Sequence, residues 1–199
     1  MAYTRAEDVQ IDAWKMLGNE GWTWDDLLPY YLKSESLTRP NVSEKAAGAS
    51  FQALYHGYDG PLRTGFTGIE ASNLTATFNK TYEALGVPWS EDVNGGRMRG
   101  VNIYPETIDY FHSIREDAAR AYYWPYKDRP NLTVMMNTVV NNIIWKGNST
   151  VENITASGVS IASHNGTTSV ITAKKEVILS AGSLRSPAIL ELSGVGNPE

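Results

Sequence analysis

Residues 176–198 read EVILSAGSLRSPAILELSGVGNP, and this stretch restricts the fold more than any other part of the chain. An extended run at 176–180, apolar on both faces, belongs inside a parallel sheet. Ser180, Ala181 and Gly182 are all small, so another backbone or a flat ligand can come close. Ser186 is placed to cap a helix, with Pro187 at its first position, where a missing N–H is no loss. Ile189, Leu190 and Leu192 supply an apolar face, and Gly194 or Gly196 ends it. In open α/β sheets, ligands sit beyond the carboxyl ends of strands, where helix N-termini present free N–H groups. Taken by its residues alone, this βα unit borders either a nucleotide or nothing.

The rest of the chain divides into two kinds of text, helix and loop over residues 1–130 and strand-rich over 131–199. In NEGWTWDDLLPYYLKSE a helix is expected from near Asp25, with acidic residues at its positive end and Leu27, Leu28, Tyr31 and Leu32 on one face. Residues 72–85 repeat at helical period and stop at Gly86 with Pro88 beyond. In SIREDAARAYYWP, Ser113 with Glu116 three residues on reads as a capping box, and Pro125 as the stop. The Trp and Tyr residues of these pieces read as packing groups. Further on, LTVMM, VVNNIIW, ASGVSIAS, SVITA and EVILSA are short runs rich in Val, Ile and Thr, and Asn165-Gly166 supplies a hairpin turn. The fold class is therefore α+β or α/β: a helix-loop region, an antiparallel meander, and one parallel strand-helix unit.

Composition narrows the function. With 199 residues and 42% hydrophobic content the chain can bury a core. A net charge of −5 argues against nucleic acid or an acidic membrane as partner. No apolar stretch approaches the roughly 20 residues that a membrane helix needs. Asn-x-Ser/Thr sequons fall at Asn41, Asn73, Asn79, Asn131, Asn148, Asn153 and Asn165, more than chance placement supplies, which points to a secreted glycoprotein. No signal peptide opens the chain, so the beginning of such a protein is expected to lie outside it. The histidines His56, His112 and His164 read as loop or surface groups, and no metal-ligand spacing is present.

A resemblance sharpens this. GSLRSPAILELSGVG, residues 182–196, resembles a signature of the glucose–methanol–choline (GMC) flavin oxidoreductases at Gly182, Ser183, Ser186, Pro187, Ile189, Leu190, Ser193, Gly194, Val195 and Gly196. GNEGWTWDDLLPYYLKSE, GVPWSEDVNGG, NIYP and REDAARAYYWP resemble successive landmarks of the glucose oxidase and fungal glucose dehydrogenase branch. MAYTRAEDVQIDAW and NGGRMRGVNIYP are nearer the dehydrogenases. The resemblance implies an internal piece of about a third of such an enzyme. The Gly-x-Gly-x-x-Gly dinucleotide motif and the paired catalytic histidine of the family are both missing, so no catalytic residue is assigned and the piece alone is expected to be inactive. It implies FAD as cofactor, with Ala2 and Tyr3 lying along it, Val140 edging the adenine through its backbone, and Ser180, Ala181 and Gly182 passing near the adenosine half. The implied reaction moves a hydride from a sugar carbon to FAD and electrons on to an external acceptor. Other branches of the family, glucose oxidase or an aryl or other alcohol oxidase, stay open, as does a non-catalytic extracellular glycoprotein module.

Overall fold

A computed structural model describes residues 2–69, 72–147 and 154–197. The chain forms two compact units, Met1–Arg129 and Pro130–Glu199.

In the first unit, helix α1 (Asp8–Met16) buries Ile11. Helix α2 (Trp24–Ser34) begins one residue before the expected Asp25, because Thr23 and Asp26 exchange hydrogen bonds in a capping box. Its Leu27, Leu28, Tyr31 and Leu32 are half-buried, as their spacing requires. Strand β1 (Glu35–Thr38) follows without a break, then the short helix α3 (Val42–Ala46), strand β2 (Leu62–Gly65), helix α4 (Asn73–Ala84) and strand β3 (Glu106–Asp109). Ser72 caps α4, and the N–H groups of Gly86 and Val87 close its end on Glu83 and Tyr82. The sheet order is β1-β2-β3-β4, the last being Ile114–Arg115, and the only parallel pair among the described strands joins β1 to β2, with Glu35 opposite Leu62. Phe66, fully buried, packs with Leu37 and Ala49 at the centre of this unit.

The segment after β3 departs from the sequence expectation. Ser113 does not cap a helix; it turns at φ 52° and leads into β4 (Ile114–Arg115), which pairs with Ile108 and Asp109. Ile114 and Arg115 are extended because β3 offers them a ladder, and an extended pair cannot form the first helical turn. Helical backbone follows as a π-helix over Ala119–Tyr123 and a 3-10 turn over Trp124–Tyr126, and Pro125 sits inside that turn. The packing expectation for the aromatics holds for Trp24, which is buried, but Trp22 and Trp124 are each more than half exposed.

The second unit is an antiparallel meander, β5 (Thr138–Trp145), β6 (Ala156–Ser163) and β7 (Thr168–Thr172), followed by helix α5 (Gly182–Leu192). The hairpin turns at Asn165 and Gly166, whose N–H bonds the Ser163 carbonyl. LTVMM is not a strand: residues 132–135 have no ladder partner, and a turn at Met136 and Asn137 leads into β5. Residues 176–180 also form no strand, and Ile178 is 76% exposed. An apolar run becomes a strand only where another backbone pairs with it, and no described residue does. Nor does Ser186 cap α5. The helix starts at Gly182, so Ser186 lies inside its second turn and accepts a hydrogen bond from the Ala181 N–H at 2.9 Å, while Pro187 is internal. The helix does end at Gly194, where Gly194 and Val195 donate to Glu191 and Leu190.

Candidate functional site

Two margins of the chain carry the residues assigned to the cofactor. The first is its beginning. Ala2 is exposed and forms an antiparallel bridge to Glu106, and the Tyr3 N–H donates to the Pro105 carbonyl at 2.8 Å. Asn94 Nδ2 donates to the Tyr3 carbonyl at 3.1 Å, so both faces of this backbone are held. Tyr3 is half-buried; burial, with Glu35 adding, pushes its hydroxyl pKa up.

Two residues on, Arg5 enters a buried charge cluster. Its Nη2 meets Glu35 Oε2 at 2.9 Å, and its Nη1 donates to the carbonyls of Tyr55 and Asn94. The guanidinium carbon also lies 5.0 Å from the centre of the Tyr31 ring. Glu35, fully buried at the start of β1, accepts from Thr64 Oγ1 at 2.8 Å and from His56 Nδ1 at 2.9 Å. The other imidazole nitrogen, Nε2, lies 3.0 Å from Asp92 Oδ2. Asp92 accepts in addition from the N–H groups of Gln52 and Asn94.

His56 thus lies in a loop, as expected, but is not a surface group. Its side chain is fully buried with a carboxylate on each nitrogen. Burial disfavours its charged form, but the hydrogen bonds it donates to Asp92 and Glu35 outweigh that and raise its pKa. Burial likewise opposes the ionised form of Asp92, and the bond to His56 wins and lowers it. With a carboxylate facing each ring nitrogen, the geometry suits the doubly protonated imidazole, setting Arg5 and His56 against Glu35 and Asp92. An imidazolium that spends both N–H groups on carboxylates has no lone pair for a metal or a substrate proton. Among the described residues no group of acidic, His or Cys side chains is arranged to hold a metal ion.

His112 and His164 are exposed as expected, with His112 Nδ1 on the buried Asp109 at 2.9 Å. Asp109 also takes Arg63. Burial works against its charge, yet these partners hold its carboxyl below the usual range.

The second margin lies in the other unit. Val140 is half-buried on β5 and pairs with Ile161; the register then slips, so Asn141 bulges from the ladder. Beside it, Ser193 fastens α5 to this strand: its Oγ accepts the Ile143 N–H at 2.8 Å, and its carbonyl accepts Trp145 Nε1 at 2.6 Å. Ser180, Ala181 and Gly182 are exposed, and Gly182 turns at φ 90° with no atom within 4 Å of where a Cβ would stand. The space beside the Gly182 backbone is therefore open among the described residues, which does not obstruct a flat group there.

The sequons take varied positions. Asn73, Asn131 and Asn165 are exposed, and Asn79 is half-buried on α4. Asn41 is exposed but engaged, its Oδ1 capping α3 and its Nδ2 donating to the Tyr110 hydroxyl at 3.0 Å. Asn148 and Asn153 lie outside the described residues.

The GMC oxidoreductase family model matches residues 1–199. The chain belongs to the GMC oxidoreductase family. A glucose oxidase-like protein, fsoC, of Humicola fuscoatra is 43% identical over 188 residues, covering 94% of this chain and 32% of its own. Glucose oxidase of Aspergillus carbonarius is 38% identical over 197 residues, covering 98% and 32%. Among solved structures, an FAD-dependent oxidoreductase from Chaetomium thermophilum superposes with a TM-score of 0.86 at 32% identity, over 98% of this chain and 33% of that one. This GMC chain thus spans about a third of the length of the curated relatives it matches. The family is FAD-dependent.

Sequence reasoning missed the cluster of Arg5, Glu35, His56, Thr64, Asp92 and Asn94. Glu35, Asp92 and Asn94 all stand within the family landmarks quoted above, but nothing local marks them as partners, since Arg5 and Asn94 are 89 positions apart.

Proposed function

We propose that the full-length protein is a secreted FAD-dependent oxidoreductase acting on a CH–OH group of a sugar, glucose first, and that it passes electrons to an external acceptor other than oxygen. The match to the GMC family across the whole chain carries this reading. Bound FAD supplies the acceptor for the hydride that leaves the sugar carbon. Ala2 and Tyr3 lie along the cofactor, Val140 offers backbone groups to the adenine, and Ser180, Ala181 and Gly182 let the adenosine half come close. The resemblance to the family places the base that takes the hydroxyl proton in the two-thirds of the relatives' length that this chain does not span, and both nitrogens of His56 are committed to carboxylates. The 199 residues alone therefore neither oxidise sugar nor retain FAD.

Glucose is favoured by the relatives named glucose oxidase and glucose oxidase-like. Those names also favour a second reading, with oxygen as acceptor; the wording of residues 1–14 and 94–105 supports the dehydrogenase. Secretion rests on the sequons, of which Asn73, Asn131 and Asn165 are exposed. The test uses the full-length protein secreted from a fungal host. Anaerobic glucose should bleach the flavin, a quinone or indophenol dye should be reduced faster than oxygen is consumed, and endoglycosidase should lower the mass. Bound flavin that glucose does not bleach refutes the sugar, faster oxygen consumption selects the oxidase, and protein purified without flavin refutes the cofactor assignment.

A further inference from the structure

The hydrogen bonds of the buried cluster close into a ring that begins and ends on the Tyr3 segment. From the Tyr3 carbonyl it runs to Asn94 Nδ2 at 3.1 Å, and from the Asn94 N–H to Asp92 Oδ1 at 2.8 Å. Asp92 Oδ2 meets His56 Nε2 at 3.0 Å, His56 Nδ1 meets Glu35 Oε1 at 2.9 Å, and Glu35 Oε2 meets Arg5 at 2.9 Å. Arg5 is two residues from Tyr3, so the chain itself completes the ring. Four separate pieces of backbone meet in it: the chain start, β1, the loop at 55–57 and the loop at 92–94.

Stability alone is a poor reason for such a ring, since an apolar cluster of the same volume serves as well or better. Asn94 makes the point. It is fully buried and its Oδ1 has no partner, so the side chain bears a desolvation cost. What it contributes in return is a donor that holds the Tyr3 carbonyl. The neighbouring Gly57 is equally constrained: its N–H reaches Glu35 Oε2 at 3.2 Å, and a Cβ there would stand 1.8 Å from the Leu32 carbonyl oxygen. The ring is packed against backbone with no slack.

We propose that this ring positions the Ala2–Tyr3 segment against the flavin cofactor, with Asn94 and His56 as positioning residues. The inference rests on the reading above that Ala2 and Tyr3 border FAD. A segment held only by the Ala2–Glu106 bridge and the Tyr3–Pro105 bond would be free to fray as isolated edge pairings do. Held by buried charges as well, it presents one fixed backbone surface, which is what a binding edge needs if ordering it is not to be charged against affinity.

The experiment uses the full-length flavoprotein and three variants. Asn94→Leu removes the donor to Tyr3 and leaves all four charges in place. His56→Gln opens the ring on its far side. Ile108→Val trims a buried β3 side chain outside the ring, compared at temperatures equally far below each melting point. Asn94→Leu and His56→Gln should each speed amide exchange of Tyr3 to Arg5 at least tenfold, shift the flavin absorption bands, and weaken FAD retention about tenfold, while Ile108→Val does none of these. Should Asn94→Leu not fold, Arg5→Lys is judged by the same criteria, since it keeps the charge near Glu35 and gives up the two carbonyls. Unchanged exchange at Tyr3 to Arg5 overturns the proposal, as does an equal flavin shift in Ile108→Val. Faster exchange with wild-type flavin bands and affinity has a different meaning: the ring holds the segment, and it is the placement of Ala2 and Tyr3 on FAD that fails.

Discussion

Replacing His56 with Leu tests how the charge cluster contributes to the fold. The substitution leaves Glu35 and Asp92 buried with only Arg5 to balance them, so the cluster goes from neutral to one net negative charge. Breaking a buried pair by removing one partner costs about 3–5 kcal/mol. That is roughly two to three and a half powers of ten in the unfolding equilibrium. The pH dependence is more specific than the magnitude. In the wild type His56 has a raised folded pKa, so its contribution is complete below the unfolded value of about 6.5 and is lost as pH rises through the folded value. Asp92 has a lowered folded pKa, so its contribution is complete above an unfolded value of about 3.9 and is lost as pH falls through the folded value. The two together contribute fully between about pH 4 and 6.5. Without the imidazolium, an unpaired buried carboxylate gains a raised pKa, and the variant should recover stability on acidification while the wild type does not. Urea denaturation of the full-length protein at pH 4.5, 6 and 8, with amide exchange localising the opening, measures this. Equal stability of variant and wild type at pH 6, or parallel pH profiles, would refute a charged His56.

Ser193→Ala should lower stability by about 1–3 kcal/mol by stranding the Ile143 N–H, and peptides of β5 and α5 should lose exchange protection together. At Gly182 the space for a Cβ is open but φ is 90°, so Gly182→Ala should cost about 1–2 kcal/mol of backbone strain in apo and holo protein alike. Any loss of FAD affinity beyond that, read by equilibrium dialysis, reports the cofactor, and Gly182→Val is the harsher version of the same comparison. Thr23→Ala removes the α2 cap and should cost about 0.5–2 kcal/mol with the flavin spectrum unchanged. Asn41→Gln should uncouple α3 from Tyr110 and lower the melting temperature even in protein stripped of glycans, because both ends of the Asn41 amide are in use.

The amino-acid sequence alone determined the features whose physics spans three to five residues. Thr23 with Asp26, Ser72 with the start of α4, Gly194 at the end of α5 and Asn165-Gly166 between β6 and β7 each carry their reason in adjacent positions. Family membership was legible in the same way, because its signature is contiguous from Gly182 to Gly196. Tertiary structure decided whatever depends on a distant partner. Ser113 turns and Ile114 extends because β3 lies alongside, and the apolar run at 176–180 is no strand because no described backbone pairs with it. The parallel pair falls instead at Glu35 and Leu62, across an interval that holds α3 and several loops. His56 looked like a loop histidine since its immediate neighbours, Tyr55 and Gly57, say nothing of charge. Its role was set by Glu35, 21 positions before it, and Asp92, 36 positions after it. Burial removes water as the competing partner, so the protonation of that imidazole depends on which carboxylates the fold delivers to it, and a chain read one window at a time contains no record of that.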